Sequence, residues 1–134
     1  MTEYSYKPLI DKLLKKNILI IDDDGSITKT LCELLKRAGH YADASQNGSD
    51  AIDKTEEAVF DLIICDIKMP DMDGVQTVKR MKALSKAKKR SDVPVIFITG
   101  YADSPAVSEA KKIGEVIFKP FDTKEFLSKV AKYI

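Results

Sequence analysis

Four short apolar runs constrain the fold of this chain more than any other feature: ILII after Asn17, LIIC after Asp61, PVIFI after Val93 and VIF after Glu115. None is long enough for a helix, and none alternates apolar with polar residues as a strand with one wet face does. Unbroken runs of this kind belong to strands covered on both faces, the pattern of a parallel sheet. A weaker fifth candidate, YADA after His40, lies between the first two. With 134 residues, the chain is large enough for one domain with its own core.

Helical periodicity fills the gaps. Ile27, Leu31, Leu34, Leu35 and Ala38 share one face, with Ser26 as the expected N-cap and Gly39 where a C-terminal glycine belongs. A second helix, from about Gly48 to Val59, follows the Asn47-Gly48 turn and directs Ala51, Ile52, Thr55 and Val59 inward. A third carries Val75, Val78, Met81 and Leu84, and a fourth spans about Ser104 to Ile113. The fifth starts at Asp122, with Glu125 in capping-box spacing, and buries Phe126, Leu127, Val130 and Ile134. Five βα units in a row predict an α/β three-layer sandwich with a parallel sheet and right-handed crossovers. Residues 1–16 precede the first strand as an extension whose Leu9, Ile10, Leu13 and Leu14 have helix-like spacing after Pro8.

Charge and cysteines exclude several classes. Lys and Arg total 22 against 21 Asp and Glu, so net charge gives no reason to invoke nucleic acid or a membrane. The basic stretch from Lys79 to Arg90 has no interleaved aromatic and suits a solvated helix end. Cys32 and Cys65 lack metal-ligand spacing and are expected as buried, reduced thiols; His40 has no partner in view. No apolar run approaches a membrane span and the first residues lack a signal-peptide core, which makes the cytoplasm the expected location.

Ligands of open parallel sheets sit beyond the carboxyl ends of the strands. There the runs end in Asp22-Asp23-Asp24, Asp66, Thr99 and Lys119-Pro120. Clustered carboxylates repel one another unless a cation joins them, and an all-oxygen donor set points to Mg²⁺ or Mn²⁺ over zinc. With a hydroxyl and an ammonium added, the set suits phosphoryl transfer. Two assignments of the nucleophile remain at this point. ILIIDDDGSIT fits the D-x-D-G-[ST] pattern of dehalogenase-type phosphatases, with Asp22 attacking and Asp24 handling the proton. That reading needs a second acidic motif on the fourth strand, which ends in Thr99-Gly100 with only Asp103 beyond, and a cap for which the chain has no room.

The alternative rests on Asp22-Asp23, the stretch DIKMPDMDG from Asp66 to Gly74, Thr99-Gly100 and Lys119-Pro120-Phe121. Together these resemble the receiver domain of two-component response regulators, over residues 17–134. The resemblance implies a flavodoxin-like fold of strand order 2-1-3-4-5, with the Lys119-Pro120 bond cis. It implies that Asp66 accepts a phosphoryl group from a histidine kinase or a histidine phosphotransfer protein. Asp23 and Asp66 would hold Mg²⁺ directly, Lys68 through its backbone carbonyl and Asp22 mostly through water, while Thr99 and Lys119 meet the phosphoryl oxygens. The only catalysis implied is of the chain's own phosphorylation and dephosphorylation. The output would be a changed surface on helix 4, strand 5 and helix 5, read by a downstream protein effector or used for a phosphorylation-dependent homodimer, with no direct DNA or membrane binding.

Asp24 is read as a solvated or capping carboxylate, and Asp71 and Asp73 as turn residues with Gly74 as a conformationally permissive position. Val116 stands where the family often has an aromatic ring that moves with the Thr, which leaves open a receiver-like protein with altered output. The segment from Lys111 to Val116 is about one residue short of the family pattern, so a tight loop is expected before the fifth strand. In the family it resembles, the positions two residues beyond the phosphoacceptor and the Thr, here Lys68 and Tyr101, influence the access of water to the phosphoaspartate, so these two bulky side chains are expected to shield it.

Overall fold

A computed structural model describes Tyr6, Leu9 and residues 15–134. Five strands, β1 (Asn17–Ile21), β2 (Tyr41–Ser45), β3 (Leu62–Asp66), β4 (Val95–Thr99) and β5 (Glu115–Phe118), alternate with five helices. These are α1 (Gly25–Arg37), α2 (Gly48–Glu57), α3 (Gly74–Ala87), α4 (Pro105–Ile113) and α5 (Thr123–Ala131). The strands form one parallel sheet in the order β2-β1-β3-β4-β5. This is the flavodoxin-like (βα)₅ arrangement that the five-unit pattern and the family resemblance imply.

The unbroken apolar runs arise because both sheet faces are covered. Leu19, Ile21, Ile63, Cys65, Val95 and Phe97 pack with Ala51, Val75, Val78, Met81, Val107 and Ala110 from α2, α3 and α4. Their strand neighbours Ile18, Ile20, Leu62, Ile64, Ile96, Ile98 and Ile117 pack on the other face with Leu31, Cys32, Leu35, Phe126 and Val130 from α1 and α5. Both cysteines are free and buried. Phe97 and Phe126 are fully buried, one in each half of the core, so deleting either ring would cost about 3–5 kcal/mol.

Several local expectations shift. The N-cap of α1 is Asp24, one turn-forming residue pair earlier than Ser26, because its Oδ1 accepts both the Ser26 N–H (2.9 Å) and the Ser26 hydroxyl (2.6 Å). Asp122 caps α5 by accepting the Glu125 N–H at 2.6 Å, but the reciprocal capping box occurs at α3, between Asp73 and Gln76. Helix α2 stops at Glu57, which leaves Val59 79% exposed instead of inward, and Leu84 is likewise exposed. Gly114 alone joins α4 to β5, and a Cβ there would lie 2.2 Å from the Val95 carbonyl oxygen, so the short connection requires glycine. The helix-like pattern of residues 1–16 lies mostly outside the described residues; Tyr6 and Leu9 are helical and exposed. Among the described residues no helix is long and apolar enough to cross a membrane.

The basic stretch ends α3 and straps it to its surroundings. Lys79 pairs with Glu109 (3.1 Å), Lys82 with Asp92 (2.7 Å), Lys88 with Glu56, and Arg90 donates to the Thr55 carbonyl (3.1 Å). Exposed pairs of this sort each contribute little to stability; those of Lys82, Lys88 and Arg90 tie the 88–94 loop to α3 and α2, and that of Lys79 joins α3 to α4. Helices α1 and α3 end with the same pair of hydrogen bonds: Gly39 N–H to Lys36 O and His40 N–H to Leu35 O in one, Lys89 N–H to Lys86 O and Arg90 N–H to Ser85 O in the other. Gly39 takes the left-handed position at φ 97°, whereas α3 places Lys89 there at φ 55°. Lys89→Gly is therefore expected to raise stability by roughly 0.5–1 kcal/mol, read as a higher urea midpoint at unchanged slope.

Candidate functional site

The sheet register brings the polar residues together. Ile21 lies beside Cys65, which sets Asp22 level with Asp66; Asp66 lies beside Ile98, and Thr99 beside Phe118, the residue before Lys119. Carboxylate oxygens of Asp22, Asp23 and Asp66 all fall within 4.8 Å of one another. Lys119 Nζ reaches between two of them, 3.2 Å from Asp22 Oδ2 and 3.6 Å from Asp66 Oδ1. Its backbone N–H donates to the Thr99 carbonyl at 2.8 Å, and the Lys119-Pro120 bond that follows is cis. Thr99 is fully buried, with its Oγ1 accepting the Tyr101 N–H at 3.0 Å, so that the hydroxyl proton is free to donate elsewhere.

Electrostatics at this edge are unbalanced. Asp22 is 2% exposed and Asp66 7%, and burial pushes both carboxyls above the ordinary range. For Asp66 the shift reaches about 6; burial contributes most, the neighbouring Asp22 charge adds to it, and Lys119 offsets only part. Asp22 is held back by the Asp24 N–H, which donates to its Oδ1 at 3.0 Å, and by Lys119. One ammonium thus faces three carboxylates. A hard divalent cation fits this donor set, which contains oxygens alone and has an excess of negative charge.

Gly74 is required for a reason other than conformational freedom. A Cβ on it would sit 2.0 Å from the Asp66 carbonyl oxygen and 3.0 Å from Cys65 Sγ, because the start of α3 lies directly on the end of β3. The Gly74 N–H donates to the Ile67 carbonyl at 2.8 Å, and Asp71, at φ 68°, makes the left-handed turn that leads there. The D-x-x-M-P-x-x-D-G stretch is therefore a device for returning the chain over its own strand end, with Asp73 capping the helix. The Asp73-x-x-Gln76 spacing was the readable signal for that cap.

Lys68 and Tyr101 meet at the outer edge. Lys68 Nζ lies 4.0 Å from the centre of the Tyr101 ring, joining the β3–α3 and β4–α4 loops through a cation–π contact. Asp24 is turned away to its capping bonds with Ser26, which hold its carboxyl below the usual range, so it is not poised to handle a proton as a phosphatase would need. A cleft of about 580 Å³ lies at the opposite edge of the sheet and is separate from these residues.

A doubly wound parallel sheet with an acidic trio, a buried threonine and a lysine at its carboxyl edge defines a phosphoacceptor module. Residues 18–131 match the sequence profile of the response regulator receiver domain, and the chain belongs to that family. It is 37% identical over 108 residues to the transcriptional regulatory protein ZraR of Escherichia coli, covering 79% of this chain but only 23% of that relative. It is 32% identical over 124 residues to the sporulation initiation phosphotransferase F of Bacillus subtilis, covering 91% of this chain and 96% of that one. The solved structure of the response regulator TrrA of Thermotoga maritima, in complex with Mg²⁺-BeF, superposes with a TM-score of 0.76 at 31% identity, over 89% of this chain and 99% of that one. The chain is accordingly a phosphoacceptor switch of two-component signalling, and the phosphatase alternative falls.

Because Asp66 ionises near pH 6 when folded and near 3.8 when unfolded, the folded protein alone keeps its proton between those values. Its contribution to stability therefore falls as pH rises from about 3.8 to about 6 and stays low above that. Asp66→Asn is expected to stabilise the metal-free protein at pH 7.5 by on the order of 2 kcal/mol and to flatten this pH dependence. Mg²⁺ should raise the melting temperature of the wild type more than that of the variant. Thermal melts at several pH values with and without Mg²⁺ check both.

Proposed function

We propose that Asp66 is the phosphoacceptor and that a phosphohistidine on a histidine kinase or histidine phosphotransfer protein is its donor. An Asp66 carboxylate oxygen attacks phosphorus, the P–N bond breaks, and the imidazole leaves with the electron pair. The observation that carries this is the setting of Asp66: a carboxylate at a strand end within 3.6 Å of Lys119 and grouped with Asp22 and Asp23. Asp22, Asp23, Asp66 and the Lys68 carbonyl are assigned to Mg²⁺, with Mn²⁺ able to use the same oxygens. The ion, when bound, supplies the positive charge that offsets the phosphoryl oxygens.

The remaining roles belong to the chain itself. Lys119, already between two carboxylates, pairs with one phosphoryl oxygen. Thr99 donates its free hydroxyl proton to another, while the Tyr101 N–H keeps its oxygen oriented. Binding the phosphoryl group better in one arrangement of these residues shifts an existing equilibrium between inactive and active states. Catalysis is confined to the chain's own phosphorylation and dephosphorylation. Output passes to a protein effector, or to a homodimer, through α4, β5 and α5, without direct DNA contact. Val116 packs half-buried against the α2–α4 side of the core, so no ring at that position accompanies Thr99. Residues 17–134 form the switch, residues 1–16 are an added segment, and the cytoplasm is its setting.

Incubation with acetyl phosphate and Mg²⁺ should add one phosphoryl group per chain, seen as a mass increase, and none should appear with chelator or in Asp66→Asn. Uptake by the Asn variant would move the acceptor elsewhere.

The Lys68–Tyr101 contact covers the approach of water to the phosphoaspartate. Tyr101 is 55% exposed, so Tyr101→Ala should fold normally. A cation–π contact at such a site contributes about 0.5–1 kcal/mol, which corresponds to roughly two- to fivefold faster phosphate loss in the variant. Equal or slower loss would remove the shielding role.

A further inference from the structure

We propose that the cleft at the amino edge of the sheet binds a small amphipathic monocarboxylate, with its aliphatic or aromatic body on the apolar lining and its carboxylate at Lys89, Arg90 and Ser91. The cleft encloses about 580 Å³ between the C-terminal ends of α2 and α3, beside the 88–94 loop. That volume suits a small organic molecule. Phe60, Met81, Val93 and Pro94 supply the apolar lining. The walls are fixed in advance: Lys88 pairs with Glu56, and Arg90 donates to the Thr55 carbonyl at 3.1 Å, so two links tie the end of α3 to the end of α2. A pocket held open in this way needs little reordering to bind.

The charges around the cleft select the sign of the ligand. Lys82 is matched by Asp92 at 2.7 Å, and Glu56 by Lys88. The third carboxylate of the lining, Asp61, lies on the strand side and accepts the Asn17 N–H at 2.8 Å. Arg90 meets only a neutral carbonyl, and Lys89 meets no carboxylate among the described residues. A guanidinium carries five N–H donors in a fork that matches a carboxylate, so its one bond to Thr55 leaves donors to offer. Ser91 adds a hydroxyl beside them. Lys89 lines the cleft from a left-handed backbone at φ 55°, the position that Gly39 fills in α1. A side chain there costs backbone energy that glycine would avoid, and the chain accepts this cost where it sets a second cation next to Arg90. An anion with an apolar body satisfies both parts of this lining, whereas a neutral apolar molecule leaves the cations to water. The proposal does not depend on the phosphoryl chemistry at the other edge.

Titration of the full chain with octanoate, followed through amide NMR shifts, tests it, with octanol and octylammonium as probes of equal chain length. Octanoate should move the amides of Phe60, Ser91 and Val93 along one saturable curve, while those of Asp22, Asp66 and Thr99 stay in place. Octanol and octylammonium should bind at least about tenfold more weakly. Arg90→Gln keeps an amide donor for the Thr55 carbonyl but removes the charge, and should weaken octanoate about tenfold. Lys89→Gly should weaken octanoate at least about threefold while raising the urea midpoint, which separates lost affinity from lost fold. Octanoate shifts that fail to saturate, or that scatter over the whole surface, overturn the proposal. So does octanol or octylammonium binding as tightly as octanoate, or octanoate affinity that survives either substitution.

Discussion

One ammonium set against three carboxylates is the constraint around which this structure is arranged. Two of those carboxyls are buried and held above their ordinary range, so at neutral pH the fold carries charges that it does not itself neutralise. The two-faced apolar sheet supplies the stability that tolerates them. The same imbalance makes the edge responsive, because any group that brings positive charge, or replaces a carboxylate by a differently shaped anion, changes the balance around Lys119. A fully neutralised edge would be more stable and would have less to gain from either event.

The sheet transmits this condition through register. Parallel strands of nearly equal length end at one level, so Asp22, Asp66, Thr99 and Lys119 converge although up to 97 residues separate the Lys119–Asp22 pair. The loops then lock the ends in place. Gly74 admits the start of α3 onto the Asp66 carbonyl, and Lys119 N–H to Thr99 O ties the β5 end to the β4 end. Placement of the site is thus a consequence of backbone geometry, and only its charge is a matter of side chains.

How much of this was legible follows from the physics of each signal. Strands buried on both faces leave unbroken apolar runs, so four of the strands and the polar residues at their carboxyl ends could be read, whereas the half-exposed β2 was a weak signal and the sheet order and a role for Lys68 came only with the family resemblance. The D-x-x-M-P-x-x-D-G stretch was recognisable as a family pattern, but the need for Gly74 was not, since a close approach between backbone atoms leaves no periodicity. Capping was partly misplaced because Asp24 and Ser26 are both good N-caps and only the geometry selects between them. Val59 looked buried by helical spacing, yet α2 ends two residues earlier, and helix ends are where pattern reasoning is weakest. Lys68 and Tyr101 could be singled out from equivalent positions after two strands, but their contact with each other could not, since it depends on how two loops lean together.

The two edges of the sheet are under different demands. At the carboxyl edge, four strand ends and a helix start must meet within hydrogen-bond distances, which leaves little room for variation. At the amino edge, the 88–94 loop carries a lysine in a left-handed conformation, surface ion pairs and a cleft, none of which touches the carboxylates of the site. About five residues of strand separate the edges, and the core on both faces is continuous across them. Features particular to this chain can therefore accumulate at the amino edge, where they alter what the switch touches without disturbing the carboxylates that make it a switch.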